Sequence, residues 1–122
     1  MEYGQIHHVE YYVNGLEKTK LFWGWFLSKM GYTEYQNWDA GISYAHKNQT
    51  YLVFVEVEPA HRQFINNRQA AGMNHIAFKG GSQQELKSLV EELKQKDIKI
   101  LTQREDAICF VDPNQFAVEV FC

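Results

Sequence analysis

The sequence has only two cysteines and two prolines in 122 residues, and it lacks a long apolar run. Cys109 and Cys122 cannot make a disulfide framework, and neither belongs to a CxxC motif. No apolar segment approaches the roughly 20 residues of a membrane-spanning helix, and the opening MEYGQIHH lacks a signal-peptide pattern. These absences favour a cytoplasmic protein that makes no contact with a membrane, and they favour small buried or terminal roles for the two cysteines.

The sequence also lacks a large excess of either charge, since 12 basic and 15 acidic residues leave a formal charge of −3. A basic face that could neutralise phosphates is not visible in the sequence, which makes nucleic acid a poor candidate partner. Material for a core is abundant, because 45% of the residues are hydrophobic and 15% are aromatic. The length and composition predict a single domain over residues 1–122.

The first half of the chain alternates extended and helical patterns. IHHVEYYV (residues 6–13) predicts a strand, and Asn14 with Glu17 three residues later has the spacing of a helix capping box. The predicted helix ends at Gly31. Its apolar side chains recur at helical spacing: Leu21, Phe22, Trp25, Phe26 and Met30. Three β-rich segments follow, separated by the turn residues DA and NQ, at 32–38, 41–47 and 50–58.

The second half repeats this order. NHIAFKG (residues 74–80) predicts a strand, and Ser82 with Glu85 forms another capping box. The helix that follows has one apolar stripe: Leu86, Leu89, Val90 and Leu93. Three short strands close the chain, at 99–101, 107–112 and 116–121. The sequence therefore predicts two β-α-β-β-β modules, at about 4–58 and 73–122, joined by a polar linker over 59–72.

Side chains alternate between the two faces of a strand, so sequence parity predicts which residues share a face. In the first module Val9, Tyr11 and Val13 would pack under the helix, with His8 on the other face. Val53, Val55 and Val57 are also predicted to face the helix, which places Phe54 and Glu56 beside His8. In the second module, His75 and Glu119 lie opposite the apolar residues. If the sheet curls, the face with the histidines and carboxylates lines a cavity.

The doubled order, the openings IHHVEYYV and NHIAF, and the closing FVDPNQFAVEVF resemble the glyoxalase / bleomycin-resistance / extradiol-dioxygenase superfamily, also called the vicinal-oxygen-chelate superfamily. The resemblance covers nearly the whole chain. It implies an α+β fold in which two modules form a partly open, curled mixed β-sheet around one site. It also implies a small-molecule substrate and a homodimer.

The resemblance further implies a metal site whose ligands come from the first and last strands of each module: His8, Glu56, His75 and Glu119. Two imidazoles and two carboxylates suit Zn²⁺, Ni²⁺, Fe²⁺ or Mn²⁺. Such a metal would act as a Lewis acid on a substrate with two vicinal oxygens, and Glu119 or Glu56 would serve as the base. The implied activity is that of a lyase, an isomerase or a dioxygenase.

Departures from the family pattern leave alternatives open. Gln115 replaces the glycine expected in the turn before the last strand. Alignment from the start of the fourth strand puts Phe54 rather than Glu56 in the ligand position. The remaining set is then His8, His75 and Glu119, similar to that of fosfomycin-resistance enzymes and extradiol dioxygenases. The alternative functions are a metal-free small-molecule-binding protein, similar to the bleomycin-resistance branch, and an inactive structural dimer.

The other histidines and two arginines of the linker are not predicted to be metal ligands. His7 has the opposite parity from His8 and is expected near the helix side. His46 and His61 are expected to be solvated. Arg62 and Arg68 lie in the linker, where solvation is the favoured expectation and contact with an anionic substrate group is the alternative.

Overall fold

The computed structural model describes residues 3–47 and 49–122, so part of the predicted turn at 48–49 lies outside the described residues. The chain divides into two compact units, Met1–Phe64 and Ile65–Cys122. The first unit contains β1 (His8–Val13), α1 (Leu16–Lys29), β2 (Tyr32–Trp38), β3 (Gly41–His46), β4 (Thr50–Glu56) and a short 3₁₀ turn (Pro59–His61). The second contains β5 (His75–Lys79), α2 (Gln83–Gln95), β6 (Ile100–Gln103), β7 (Ala107–Val111) and β8 (Ala117–Phe121).

Each unit forms one four-stranded mixed sheet in which the first strand lies beside the last. The strand orders are β1-β4-β3-β2 and β5-β8-β7-β6. The pairs β1–β4 and β5–β8 are parallel, and the other neighbouring strands are antiparallel. The predicted α+β fold of two β-α-β-β-β modules is therefore confirmed. In the described part of the chain, neither helix combines the length and apolarity that crossing a bilayer requires.

The core of the first unit is an aromatic cluster between α1 and the sheet. Phe54 is fully buried, and its ring stacks on Tyr11 with 5.2 Å between centroids and lies 4.9 Å from Trp23 of α1. The predicted faces of β4 are therefore wrong, because Phe54 faces the helix and Val53 lies on the face of His8. Residues 52–55 are all apolar, so alternation in the sequence could not distinguish the two faces.

The two helices begin in different ways. The predicted capping box of α2 is confirmed, since the backbone N–H of Glu85 donates to the Ser82 hydroxyl at 3.1 Å. The predicted capping box of α1 is wrong, because its N-cap is Gly15, which has a φ of 96° and no side-chain cap. Asn14 instead donates to the carbonyl oxygen of Arg62 at 2.9 Å.

The buried face of α1 differs from the predicted stripe. Leu21, predicted as core, is 78% exposed, whereas Trp23 and Leu27 are fully buried although neither was assigned to the apolar stripe. The stripe predicted for α2 is confirmed at all four positions. The difference follows from composition: α2 has one apolar face, while α1 has apolar residues around much of its circumference.

Candidate functional site

The second unit brings together the histidine and the carboxylate predicted in it. β5 and β8 are parallel neighbours with His75 opposite Ala117 and Ala77 opposite Glu119, so His75 and Glu119 project from the same face. The Nε2 atom of His75 lies 3.3 Å from Oε2 of Glu119. The Glu119 side chain is 18% exposed and that of His75 is 42% exposed, which leaves the pair accessible from one side.

Asn74 connects this pair to the preceding loop. Its Oδ1 atom lies 2.8 Å from Nδ1 of His75, and its Nδ2 donates to the carbonyl oxygen of Arg68 at 2.9 Å. Asn74 was not among the functional residues predicted from the sequence. The available signal was its position directly before the histidine, where a short amide side chain can reach the neighbouring ring.

Cys109 of β7 is the cross-strand partner of Glu119 and lies on the same face of the sheet. Burial raises the pKa of its thiol, the negative charge of Glu119 raises that pKa further, and Arg68 partly lowers it. At a given pH, less of Cys109 is therefore thiolate than for an ordinary thiol. Strand parity in β7 could have placed it there, because Ile108 and Phe110 on either side are core residues.

His8 lies at the start of β1, exposed on the face opposite α1 as predicted. Its ring stacks on Tyr51, with 4.8 Å between centroids and 6° between planes. Its Nδ1 atom is 2.9 Å from Nδ1 of His7. His7 is exposed and contacts His8, so it does not pack on the helix side as its parity suggested. His7 precedes the first residue of β1, so the alternation of side chains along a strand does not apply to it.

Glu56 occupies a different position from the one predicted. Its Oε2 accepts a hydrogen bond of 2.8 Å from the backbone N–H of Gly15 at the start of α1, and its Oε1 is 3.9 Å from Nη2 of Arg62. His8 pairs with Tyr51 while Glu56 pairs with Val13, which places Glu56 and His8 on opposite faces and at opposite ends of the β1–β4 pair. The prediction that these two residues share a face is wrong.

The donor chemistry of the His75–Glu119 pair fits a divalent metal ion. Two ligands about 2.1 Å from one ion, at tetrahedral or octahedral angles, are separated by about 3.0–3.4 Å. The 3.3 Å between Nε2 and Oε2 falls in this range. Among residues 3–47 and 49–122, no three His, Cys, Asp or Glu side chains form a group that could hold an ion. The pair therefore supplies two donors, and a complete site needs further ligands.

Comparison with known proteins agrees with the fold. The profile of the Glyoxalase/Bleomycin resistance protein/Dioxygenase superfamily matches residues 7–112. The uncharacterised protein YqjT of Bacillus subtilis is 40% identical over 96 residues, which are 79% of this chain and 74% of YqjT. The crystal structure of a proposed glyoxalase from Bacillus halodurans is 36% identical with a TM-score of 0.91, and the match covers 98% of this chain and 96% of that one.

A more distant structural relative is the fosfomycin resistance protein FosX of Listeria monocytogenes. A mutant of it was crystallised with Mn(II) and 1S,2S-dihydroxypropylphosphonic acid. The match has a TM-score of 0.69 and 20% identity, and it covers 99% of this chain and 90% of that one, which shows similarity of fold. The profile match and the two Bacillus relatives show that the chain belongs to the Glyoxalase/Bleomycin resistance protein/Dioxygenase superfamily.

Proposed function

We propose that this protein is a metal-dependent enzyme, a lyase, isomerase or dioxygenase, that acts on a small substrate with vicinal oxygens. The observation that carries the proposal is the 3.3 Å approach of His75 Nε2 to Glu119 Oε2 on an accessible sheet face. His8 is proposed as the third ligand, on the family pattern and on its exposed place at the start of β1. The proposed metal is Zn²⁺, Ni²⁺, Fe²⁺ or Mn²⁺, which all accept this donor set.

The charge of Glu119 supports a cation at this position. Within the described residues, His75 is its ion-pair partner, and neither a lysine nor an arginine forms an ion pair with it. A half-buried carboxylate is stabilised when a positive charge lies beside it. A divalent ion held between His75 and Glu119 would supply that charge.

The proposed chemistry divides between the metal and the protein. A bound divalent ion would polarise a substrate oxygen as a Lewis acid. Glu119 is proposed as the base that moves a proton, since a carboxylate beside a substrate carbon or hydroxyl can accept one. Glu56 is left out of this role because its carboxylate is hydrogen-bonded to the backbone of Gly15, on the face of the sheet that carries α1.

The substrate class and the assembly are also proposals. FosX was crystallised with Mn(II) and a vicinal diol that carries a phosphonate, which is the type of ligand proposed here. A homodimer is proposed on the family resemblance, and light scattering of the purified protein would test it. A mass equal to one chain would contradict the dimer without affecting the metal site.

A second candidate is a metal-free binding protein. It is favoured by the aromatic side chains on the His8 face of the first unit. Tyr12 is 62% exposed, and Tyr35 is 56% exposed and contacts Tyr51 with 5.3 Å between ring centroids. Exposed aromatic rings can stack on a flat apolar ligand. In that case the His75–Glu119 pair would be an ion pair between protein groups alone.

Metal content decides between the two candidates. The protein would be purified without a metal-binding tag and measured by elemental analysis, before and after reconstitution with Zn²⁺, Ni²⁺, Mn²⁺ and anaerobic Fe²⁺. We expect about one ion per chain, lost in His75→Ala and His8→Ala. His61→Ala is the matched control, since His61 lies in the 3₁₀ turn after β4. Absence of any bound metal after reconstitution would overturn the enzyme proposal and favour the binding protein.

A further inference from the structure

We propose that Asn74 is a positioning residue that holds a hydrogen on Nδ1 of His75, so that Nε2 is the nitrogen that binds a metal. This inference deepens the proposed function and rests on it, because the choice of nitrogen matters only if His75 binds a metal. It concerns a residue that contacts neither the proposed metal nor the substrate. The geometry that leads to it lies entirely within the second unit.

The orientation of the Asn74 amide is set by Arg68. The carbonyl oxygen of Arg68 can only accept, so the group 2.9 Å from it must be the Nδ2 donor of Asn74. Oδ1 of the same amide is then the atom that faces His75. A flipped amide would place two acceptors together at Arg68, which is unfavourable.

The orientation of the amide in turn sets the proton on the ring. Because Oδ1 of Asn74 can only accept, Nδ1 of His75, 2.8 Å away, must carry the hydrogen. Oε2 of Glu119, 3.3 Å from Nε2, also only accepts, so either a proton on Nε2 or a metal ion must lie between these two atoms. With the hydrogen held on Nδ1 by Asn74, Nε2 is the nitrogen that can exchange its proton for a metal ion. Asn74 thus prepares His75 to bind through Nε2.

The loop before β5 holds Arg68 in place for this role. Asn67 accepts a hydrogen bond from the backbone N–H of Gln69 at 3.0 Å, and its carbonyl accepts from Ala70 at 3.1 Å, which closes a turn around Arg68. Asn66 donates to the carbonyl oxygen of Gln115 at 3.2 Å, tying the loop to the turn before β8. The acceptor for Asn74 is therefore held by a network of local hydrogen bonds.

The first unit provides an internal contrast. The residue before His8 is His7, and the two Nδ1 atoms are 2.9 Å apart. An imidazole can donate or accept at Nδ1, so this contact is satisfied by either of two complementary tautomer pairs. His7 therefore leaves the tautomer of His8 undetermined, whereas an amide held by a backbone carbonyl determines that of His75.

Two measurements test the role of Asn74. Long-range ¹H–¹⁵N NMR of the metal-free protein, at alkaline pH where the ring is neutral, reports which nitrogen of His75 carries the hydrogen. Calorimetric titration with Zn²⁺ reports affinity. The variants are Asn74→Ala, which removes the acceptor, and Asn74→Asp, which keeps an acceptor at Nδ1. Asn37→Ala is the matched control, because it makes the same substitution at an exposed position of β2, outside this network.

We expect a hydrogen on Nδ1 of His75 in the native protein, in Asn74→Asp and in Asn37→Ala, and a smaller fraction of Nδ1–H in Asn74→Ala, where Glu119 alone favours Nε2–H. The Kd for Zn²⁺ should rise about 10- to 100-fold in Asn74→Ala and stay near the native value in Asn74→Asp. An unchanged His75 tautomer in Asn74→Ala would overturn the inference. If the native protein binds no Zn²⁺, the proposed function fails, while the NMR result still decides what Asn74 does.

Discussion

Val53 occupies in the first unit the register position that Glu119 occupies in the second. His8 lies opposite Tyr51 and His75 lies opposite Ala117, and in each unit the residue two places further along the last strand projects from the histidine face. That residue is Val53 in β4 and Glu119 in β8. The internal duplication therefore retains two histidines at matching positions but only one carboxylate, and Glu56 is not the counterpart of Glu119.

This asymmetry predicts that the same substitution at Glu119 and at Glu56 affects different properties of the protein. Glu119→Gln should weaken Zn²⁺ binding at least about tenfold, because the amide removes a charged ligand while keeping the shape of the side chain. Glu56→Gln should leave the Zn²⁺ affinity unchanged and lower the free energy of unfolding by about 0.5 kcal/mol, since it removes a negative charge at the start of α1. Calorimetric titration and urea denaturation of both variants test this prediction.

Equal loss of Zn²⁺ affinity in the two variants would show that Glu56 is a ligand after all. The urea measurement provides the control, because a Glu56→Gln protein of reduced stability and full affinity separates folding from metal binding. His46→Ala serves as a further reference, as its histidine lies at the end of β3.

The two cysteines should differ in reactivity. Burial and the charge of Glu119 raise the pKa of Cys109, so less thiolate is present at a given pH than for an ordinary thiol. Cys122 is exposed. With a chromogenic disulfide reagent at about pH 8, Cys109 in a Cys122→Ser protein should react about tenfold more slowly than Cys122 in a Cys109→Ser protein. Equal rates in the native state would contradict this, and equal rates in denaturant are the expected control.

Tyr44 should make the protein sensitive to alkali. Burial, with a smaller contribution from Glu34, raises the pKa of its hydroxyl from 10.0 to about 12. Because the pKa of Tyr44 is higher in the folded protein than in the unfolded chain, the neutral hydroxyl stabilises the fold. This stabilisation is complete below the unfolded pKa and is lost as the pH rises toward the folded pKa. Between about pH 9 and about pH 11 the native protein should lose roughly 1 kcal/mol more than Tyr44→Phe in urea denaturation. Parallel pH profiles of the two proteins would contradict this prediction.

Replacing Gln115 by glycine, the residue that the family pattern has in this turn, should stabilise the protein. Its φ is 69°, a left-handed conformation that costs about 1 kcal/mol for a residue with a Cβ. Its backbone N–H donates to the carbonyl of Asp112, and its carbonyl accepts from Asn66, and both bonds survive in glycine. Gln115→Gly should raise the free energy of unfolding by about 0.5–1 kcal/mol, and Gln115→Ala should not. Equal stability of the two variants would contradict this.

The elements of the fold could be predicted because local chemistry specifies them. Ser82 and Glu85 define the start of α2, and Gly31, with a φ of 86°, follows the end of α1. The start of α1 could not be predicted in the same way. The N–H of its N-cap residue, Gly15, donates to Glu56, forty-one residues away in sequence, and a contact over that distance appears only once β4 is placed beside β1.

The site was predictable only where one face of a strand differs from the other. In β8, Glu119 alternates with the buried Val118 and Val120, so its face follows from the sequence. In β4, apolar residues fill both faces and conceal the register that separates Val53 from Glu56. Asn74 was not identified because its role depends on the backbone path of the loop that contains Arg68, which no pattern of hydrophobicity describes.

The pairing of the first strand with the last strand in each unit determines when each sheet can form during synthesis. A ribosome releases β1 well before β4, its hydrogen-bonding partner, with α1, β2 and β3 emerging in between. During that interval the edge of β1 is unpaired and open to association with other extended segments. Each sheet closes only when its final strand arrives, and the first sheet is complete in sequence before β5 is synthesised. Synthesis therefore separates the closing of the two sheets in time, which reduces the opportunity for two similar units to exchange strands.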